Sequence, residues 1–232
     1  MCGRYTLAVP DPAALRARFG LAETVEVRQR FNIAPGDEVL AVTTDRAGAP
    51  RSELLRWGLV PSWADSPSTG LKMINARVET VSQRPAFRLP FERFRCLILA
   101  DGFYEWSSAG PGRPKQAFHI TPADGEPFAF AGLWSVWKGA EDRQLRTCTI
   151  LTTQANAAVA PLHDRMPVIL ERRSEAAWLD RDTDRATLLG LLGGLPAGDT
   201  ALRAVGPAVN DARYDGPECL QAAGPEPQQT LL

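Results

Sequence analysis

The sequence predicts an α+β fold: a mostly antiparallel, barrel-like sheet with a few peripheral helices. Apolar runs of strand length recur along the chain with turn signals between them, at residues 38–43, 51–57, 95–100, 116–120, 128–131 and 145–153. Helical signatures are few and short by comparison. A chain of 232 residues, 44% hydrophobic and 23% charged, is long enough to bury such a core without covalent staples.

Taken in order, residues 3–7 read as a short strand that holds the amino terminus against a sheet. Asp11 and Pro12 supply a cap and a first-turn proline for a helix over 13–19 that stops at Gly20. Residues 31–36, Phe-Asn-Ile-Ala-Pro-Gly, form a turn-rich approach to the strand at 38–43. After the strand at 51–57, residues 58–63 make an ordered loop, and the polar stretch 64–70 reads as mobile. A short helix is expected over 78–84. Asp101-Gly102 turns the chain from the apolar run 95–100 into Phe-Tyr-Glu-Trp at 103–106. Two helices close the chain, one after Ser174 and one over 184–192. No repeat and no interdomain linker appears, so residues 1–221 read as one domain, and 222–232, rich in Pro and Gln, as a disordered tail.

Composition narrows the function. The net charge of −1 argues against nonspecific coating of nucleic acid. Lys and Arg nevertheless outnumber Asp and Glu over residues 1–120 and are outnumbered beyond them, which leaves room for a local basic face on the N-terminal half. The start lacks a basic segment followed by an apolar run, and no window reaches the length of a membrane span, so a cytoplasmic protein is expected. Four scattered cysteines with no CxxC pair, and only two histidines, argue against a disulfide framework or a structural zinc site. No metal or cofactor is expected.

A few polar residues sit oddly. Cys2 follows the initiator methionine and is small enough to permit its removal, which would leave an amine and a thiol on one carbon skeleton. Such a 1,2-aminothiol condenses with an aldehyde and then closes to a thiazolidine; the plainer reading is a buried cysteine. Asn75 lies in an apolar context where its amide must both donate and accept. Glu105, between Tyr104 and Trp106, either faces solvent or enters an apolar pocket that raises its pKa. His163 stands among charges in Leu-His-Asp-Arg-Met-Pro at 162–167, while His119, inside an expected strand, reads as structural.

Together these residues belong to an ordered set of motifs. Met-Cys-Gly-Arg at 1–4, Phe-Asn-Ile-Ala-Pro-Gly at 31–36, Arg-Trp-Gly-Leu-Val-Pro-Ser-Trp at 56–63 and Ile-Asn-Ala-Arg-Val-Glu-Thr at 74–80 come first. Ala-Asp-Gly-Phe-Tyr-Glu-Trp at 100–106, Thr-Thr-Gln-Ala-Asn at 152–156 and Leu-His-Asp-Arg-Met-Pro at 162–167 follow, with a weaker Pro-Ala-Val-Asn at 207–210. The set resembles the SOS response-associated peptidase (SRAP) family of abasic-site processing proteins. The resemblance implies the SRAP fold and a monomer that binds single-stranded or junction DNA and captures an abasic site through Cys2. It matches Cys2, Asn75, Glu105 and His163 to the family's active-site positions. Arg4, Arg77 and Arg165 correspond to phosphate contacts, and Trp63 and Pro35 to residues that shape the DNA groove. Two positions depart from some members: Ala64 replaces a second aromatic after Trp63, and Met166 replaces a further arginine after Arg165. The peptidase label rests on exposing Cys2, by self-cleavage or otherwise.

The chemistry is consistent with that resemblance. Only the minor open form of an abasic sugar exposes an aldehyde, and a histidine with an ordinary pKa of about 6.5 is suited to moving the ring-opening proton. An α-amine, at roughly 7.7–8.0, keeps a neutral fraction that lysine lacks. A partly buried Glu105 would protonate the departing hydroxyl, and the Cys2 thiol would close the ring intramolecularly. Two other classes remain open on these residues: an N-terminal-nucleophile cysteine hydrolase acting on an amide, and a noncovalent single-strand binder in which Cys2 is incidental.

Overall fold

The computed structural model describes residues 2–9, 11–21, 26–45, 47–107, 115–140 and 143–224. Two sheets carry the fold. The first has five strands in the order β12 (Thr200–Val205), β8 (Ala117–Pro122), β7 (Gly102–Trp106), β1 (Tyr5–Leu7), β2 (Arg30–Ile33). The second contains β3 (Glu38–Thr44), β4 (Pro50–Trp57), β6 (Arg95–Ala100), β9 (Phe128–Lys138) and β10 (Gln144–Gln154). It also carries the short β5 (Asn75–Arg77) and β11 (Arg165–Pro167).

The barrel expected from the strand spacing is present, and it closes. β10 pairs with β4, β4 with β3, β3 with β6, β6 with β9, and β9 again with β10. Strand directions cannot alternate all the way round an odd ring, so one pair must run parallel, and it is β4 with β10. β9 covers β10 from Gln144 to Ile150; beyond that point β5 runs parallel along one edge of β10 and β11 antiparallel along the other. The carboxyl end of β10 therefore leaves the ring and holds two short strands apart. The interior is filled from both sheets: Tyr5 of β1 packs edge-on against Trp57 and Phe130, with ring centroids 5.4 and 5.5 Å apart. Each such ring contributes roughly 1.5–3 kcal/mol by leaving water.

Helix α1 (Pro12–Phe19) obeys its sequence signals. Asp11 accepts the Ala13 amide, and Gly20 ends the helix in the left-handed region at φ +62°. α3 (Glu175–Leu179) and α4 (Arg185–Gly190) follow Ser174 and Asp184, and only Asp184 caps through its side chain.

Three expectations are corrected. Residues 78–84 form turns, and the helix comes next, as α2 (Pro85–Arg93): Pro85 starts it, and the internal Pro90 hides it from a periodicity reading. The polar stretch expected to be mobile coils into a 3₁₀ turn, Pro67–Lys72, capped by Ser66. Gly70 of that turn lies against Gly58 so closely that a Cβ on Gly58 would meet the Gly70 carbonyl oxygen at 2.8 Å. The Asp101-Gly102 turn is present as expected, and it passes the chain from one sheet to the other, since β6 and β7 belong to different sheets. Ala222, read as the start of the tail, forms a bridge with Val205; residues 225–232 lie outside the described residues. Among the described residues no helix is long and apolar enough to cross a membrane.

Candidate active site

The place where the two sheets meet at the amino terminus gathers four of the residues marked in the sequence. β1 pairs with β7, and the chain continues in that register below Tyr5, with the Tyr104 amide donating to the Arg4 carbonyl at 3.0 Å. Cys2 is thereby carried toward Glu105. From the barrel side, β5 places Asn75 opposite Ile150, and its Nδ2 donates to the Cys2 carbonyl at 2.8 Å. His163 lies two residues before β11, which returns along the other edge of β10.

Cys2 is fully buried in the chain that still carries Met1, and its thiol contacts the Arg4 carbonyl at 3.8 Å. Burial, followed by the negative charge of Glu105, pushes the thiol far above its usual range. Glu105 is itself only 5% exposed, which settles the alternative left open in the sequence: it enters the protein. Burial raises its pKa, opposed by the positive charges of the amino terminus and His163 and by hydrogen bonding that includes the Trp106 amide. A carboxyl held in that way keeps its proton to higher pH than an exposed glutamate does.

The His163 ring is oriented by its backbone. The Arg165 amide donates to Nδ1 at 2.9 Å, and Asp164 Oδ1 lies 2.9 Å from the same nitrogen. Nδ1 cannot accept one proton and donate another at once. The amide is fixed by the chain whereas the Asp164 carboxylate is 84% exposed and free to turn, so Nδ1 accepts and Nε2 carries the proton of the neutral ring.

Asn75 has used its donor on Cys2; among the described residues its buried Oδ1 has no hydrogen-bond partner. A buried, orphaned amide oxygen is an acceptor for an amine or a hydroxyl.

The arginines divide. Arg77 is exposed at the end of β5, in register with Thr152. Arg165 donates to both Glu79 carboxylate oxygens, at 2.5 and 2.9 Å, and to the Thr152 carbonyl at 2.5 Å. The two thus flank one residue of β10, beyond Asn75 and His163. Arg4 lies on the other side, tied to Asn32 and the Val209 carbonyl at 2.9 Å each. Trp63 is 64% exposed and edges an apolar groove of about 260 Å³ with Leu89, Phe94 and Trp134. Pro35 sits in the turn from β2 to β3.

Three features escaped the sequence reading. Thr6 donates to Asp101 at 2.5 Å and faces His119 Nε2 at 3.0 Å, so that buried polar groups pin β1 from below. Asn32 joins Arg4 to the segment 207–215. Arg95 is buried among carbonyls. Each involves partners far apart in sequence, and no local pattern announces them. Among the described residues no group of three His, Cys, Asp or Glu could hold a metal.

Along nearly its whole length the chain is similar to known proteins. Residues 1–212 match the family model described as SOS response associated peptidase (SRAP). The chain is 38% identical over 226 residues to the Bacillus subtilis abasic site processing protein YoqW, covering 96% of this chain and 100% of that one. It is 30% identical over 231 residues to the Escherichia coli abasic site processing protein YedK, covering 95% and 99%. A crystal structure of a protein from Bacteroides thetaiotaomicron superposes with a TM-score of 0.86 at 22% identity, over 96% of this chain and 100% of that one, a likeness of fold.

Proposed function

The chain belongs to the SOS response associated peptidase (SRAP) family, and from that membership we propose that it processes abasic sites by forming a covalent thiazolidine between Cys2 and the ring-opened sugar in single-stranded DNA. The observation that carries this reading is the convergence of Cys2 with Asn75, Glu105 and His163, from two sheets and four separate stretches of chain.

While Met1 is attached, the nitrogen of Cys2 is an amide and cannot form an imine. Hydrolysis of the Met1–Cys2 bond is therefore the first step, and it frees the Cys2 amine. His163, with a proton on Nε2, serves the opening of the sugar hemiacetal. The Cys2 amine adds to the C1′ aldehyde. The carbinolamine then loses water as Glu105, whose carboxyl burial makes less acidic, donates to the departing hydroxyl. The thiol adds across the resulting C=N bond: a C–S bond forms, and the sulfur's proton ends on nitrogen. One water leaves in all. Ring closure is intramolecular and gains from high effective molarity. Asn75 holds the Cys2 carbonyl and offers Oδ1 to the amine. Arg4, Arg77 and Arg165 bind phosphates without reading bases, and Trp63 and Pro35 shape the path of the strand.

A hydrolase reading would use Cys2 as a thiolate, and burial beside Glu105 works against the thiolate. A thiazolidine needs only the thiol.

The test incubates the purified protein, one methionine short by mass, with an abasic oligonucleotide. A heat-stable shift that Cys2→Ala abolishes is expected; no shift with the unaltered chain ends the proposal.

A further inference from the structure

One edge of the Arg4 guanidinium is tied down and the other is not. Nη1 points both its protons inward, to Asn32 Oδ1 and the Val209 carbonyl, each at 2.9 Å. Among the described residues no acceptor takes the protons of Nε or Nη2, and the side chain is half-buried. The guanidinium lies over the ring of Trp106, 5.9 Å from its centroid, and Trp106 Nε1 donates to Asn210 Oδ1 at 2.8 Å.

What fixes that edge is a strap from the carboxyl end of the domain. It contains the 3₁₀ turns Pro207–Asn210 and Pro217–Leu220 and packs against β2. Asn32 of β2 is the hub. It is 1% exposed; its Oδ1 accepts Arg4, and its Nδ2 donates to the Asp211 and Tyr214 carbonyls of the strap at 2.9 and 2.7 Å. Asp215 closes the strap onto β2, with Oδ1 accepting the Phe31 and Asn32 amides at 2.5 and 2.8 Å and Oδ2 bound by Arg30.

We infer that this strap, acting through Asn32, is a positioning element that presents the Nε–Nη2 edge of Arg4 as a bidentate cradle for a phosphodiester oxyanion. The side-on edge of a guanidinium matches two oxygens of one phosphate and carries no base preference. An arginine anchored by both Nη1 protons loses little further freedom when a phosphate arrives, so the ordering is completed during folding. The Pro-Ala-Val-Asn motif at 207–210 acquires a reason: Val209 receives Arg4, and Asn210 holds the Trp106 ring beneath it. The inference rests on the DNA-binding part of the proposed function, not on its chemistry.

Equilibrium binding of the full chain to an undamaged single-stranded oligonucleotide, followed by fluorescence anisotropy across a salt series, tests it apart from cross-linking. Arg4→Ala and Asn32→Ala should each weaken binding about fivefold and reduce the salt slope by about 0.7, the share of one single-strand phosphate. The double variant should be no weaker than either alone. Asp215→Asn, a surface change that spares Asn32 should its replacement disturb folding, should weaken binding although it removes a negative charge, which simple electrostatics would score as tightening. Additive losses, an unchanged slope in Asn32→Ala, or tighter binding by Asp215→Asn would overturn the inference, as would a wild-type chain that binds no DNA. Binding without cross-linking would instead overturn the thiazolidine reading and leave this one standing.

Discussion

The side-chain amide of Asn75 donates to the carbonyl oxygen of Cys2 across 2.8 Å, joining the barrel to the first residues of the chain. The bond fixes the backbone of the residue whose amine and thiol would react. Asn75→Ala should therefore slow cross-linking at least tenfold, an effect of about 1.4 kcal/mol or more on the barrier. Asn75→Asp should lose as much, because an ionised carboxylate accepts only and meets the Cys2 carbonyl as a second acceptor. Single-turnover rates with an abasic oligonucleotide, together with far-ultraviolet circular dichroism to verify folding, provide the measurement.

Glu105 combines a stability cost with a catalytic use. Burial raises its pKa, so between the unfolded and folded values the native chain binds the extra proton, and stability falls as pH rises through that window. Above the folded pKa the carboxylate is charged inside the protein. Glu105→Gln removes the titrating group and should raise the melting temperature at pH 8 relative to pH 5 while slowing cross-linking. In the native chain the rate should fall as pH rises through the Glu105 pKa, as the proton donor is lost, and the variant should lack that limb. A variant less stable at pH 8 than the unaltered chain would contradict the assignment.

His119 shows the opposite sign. Burial, with Arg203 adding to it, lowers its pKa to about 4. Thr6 spends its one proton on Asp101, so it accepts from His119 Nε2–H, and the ring is neutral in the fold. An unfolded histidine takes a proton near pH 6.5 and the folded one near 4; stability is complete above 6.5 and is lost as pH falls between them, by roughly 3 kcal/mol in all. His119→Gln keeps a donor for Thr6 and cannot titrate. Urea midpoints at pH 7 and pH 4.5 should differ less in this variant than in the native chain.

Local chemistry was legible in the sequence, and long-range polar contacts were not. Asp11, Pro12 and Gly20 bounded α1 because a cap, a first-turn proline and a left-handed stop act within one turn of backbone. The strand runs were visible because a buried strand must be apolar wherever it sits. Asn75 and Glu105 stood out as polar groups among apolar neighbours, Cys2 by its place after the initiator methionine, and His163 as one of only two histidines, set among charges. Ring closure between β4 and β10 joins residues 91 apart, such as Arg56 and Thr147, and the Asn32 side chain reaches a partner 182 residues away, so neither had a local signature. α2 was hidden for a different reason: two of its nine residues are proline, and periodicity cannot be read through them.

The last prediction concerns Arg95, which is 3% exposed and has no carboxylate among its hydrogen-bond partners. Its guanidinium donates to four carbonyls: Phe91 and Glu92 at the end of α2, and Trp178 and Asp180 at the end of α3, between 2.5 and 2.7 Å. A helix end leaves its last carbonyls unsatisfied, and one planar fork serves two such ends, aided by the negative pole of each helix. Burial lowers the arginine's pKa, with Asp180 working against that, and it stays charged regardless. Arg95→Met should cost about 3–5 kcal/mol, since it strands buried carbonyls and not merely a charge. Arg95→Lys should recover only part of the loss, because three protons on a point charge cannot span four acceptors. Chemical denaturation would show both as a lower midpoint, and cross-linking by the folded fraction should persist, since the site lies on other elements. A Met variant as stable as the native chain would mean that water satisfies those carbonyls as well as the arginine does.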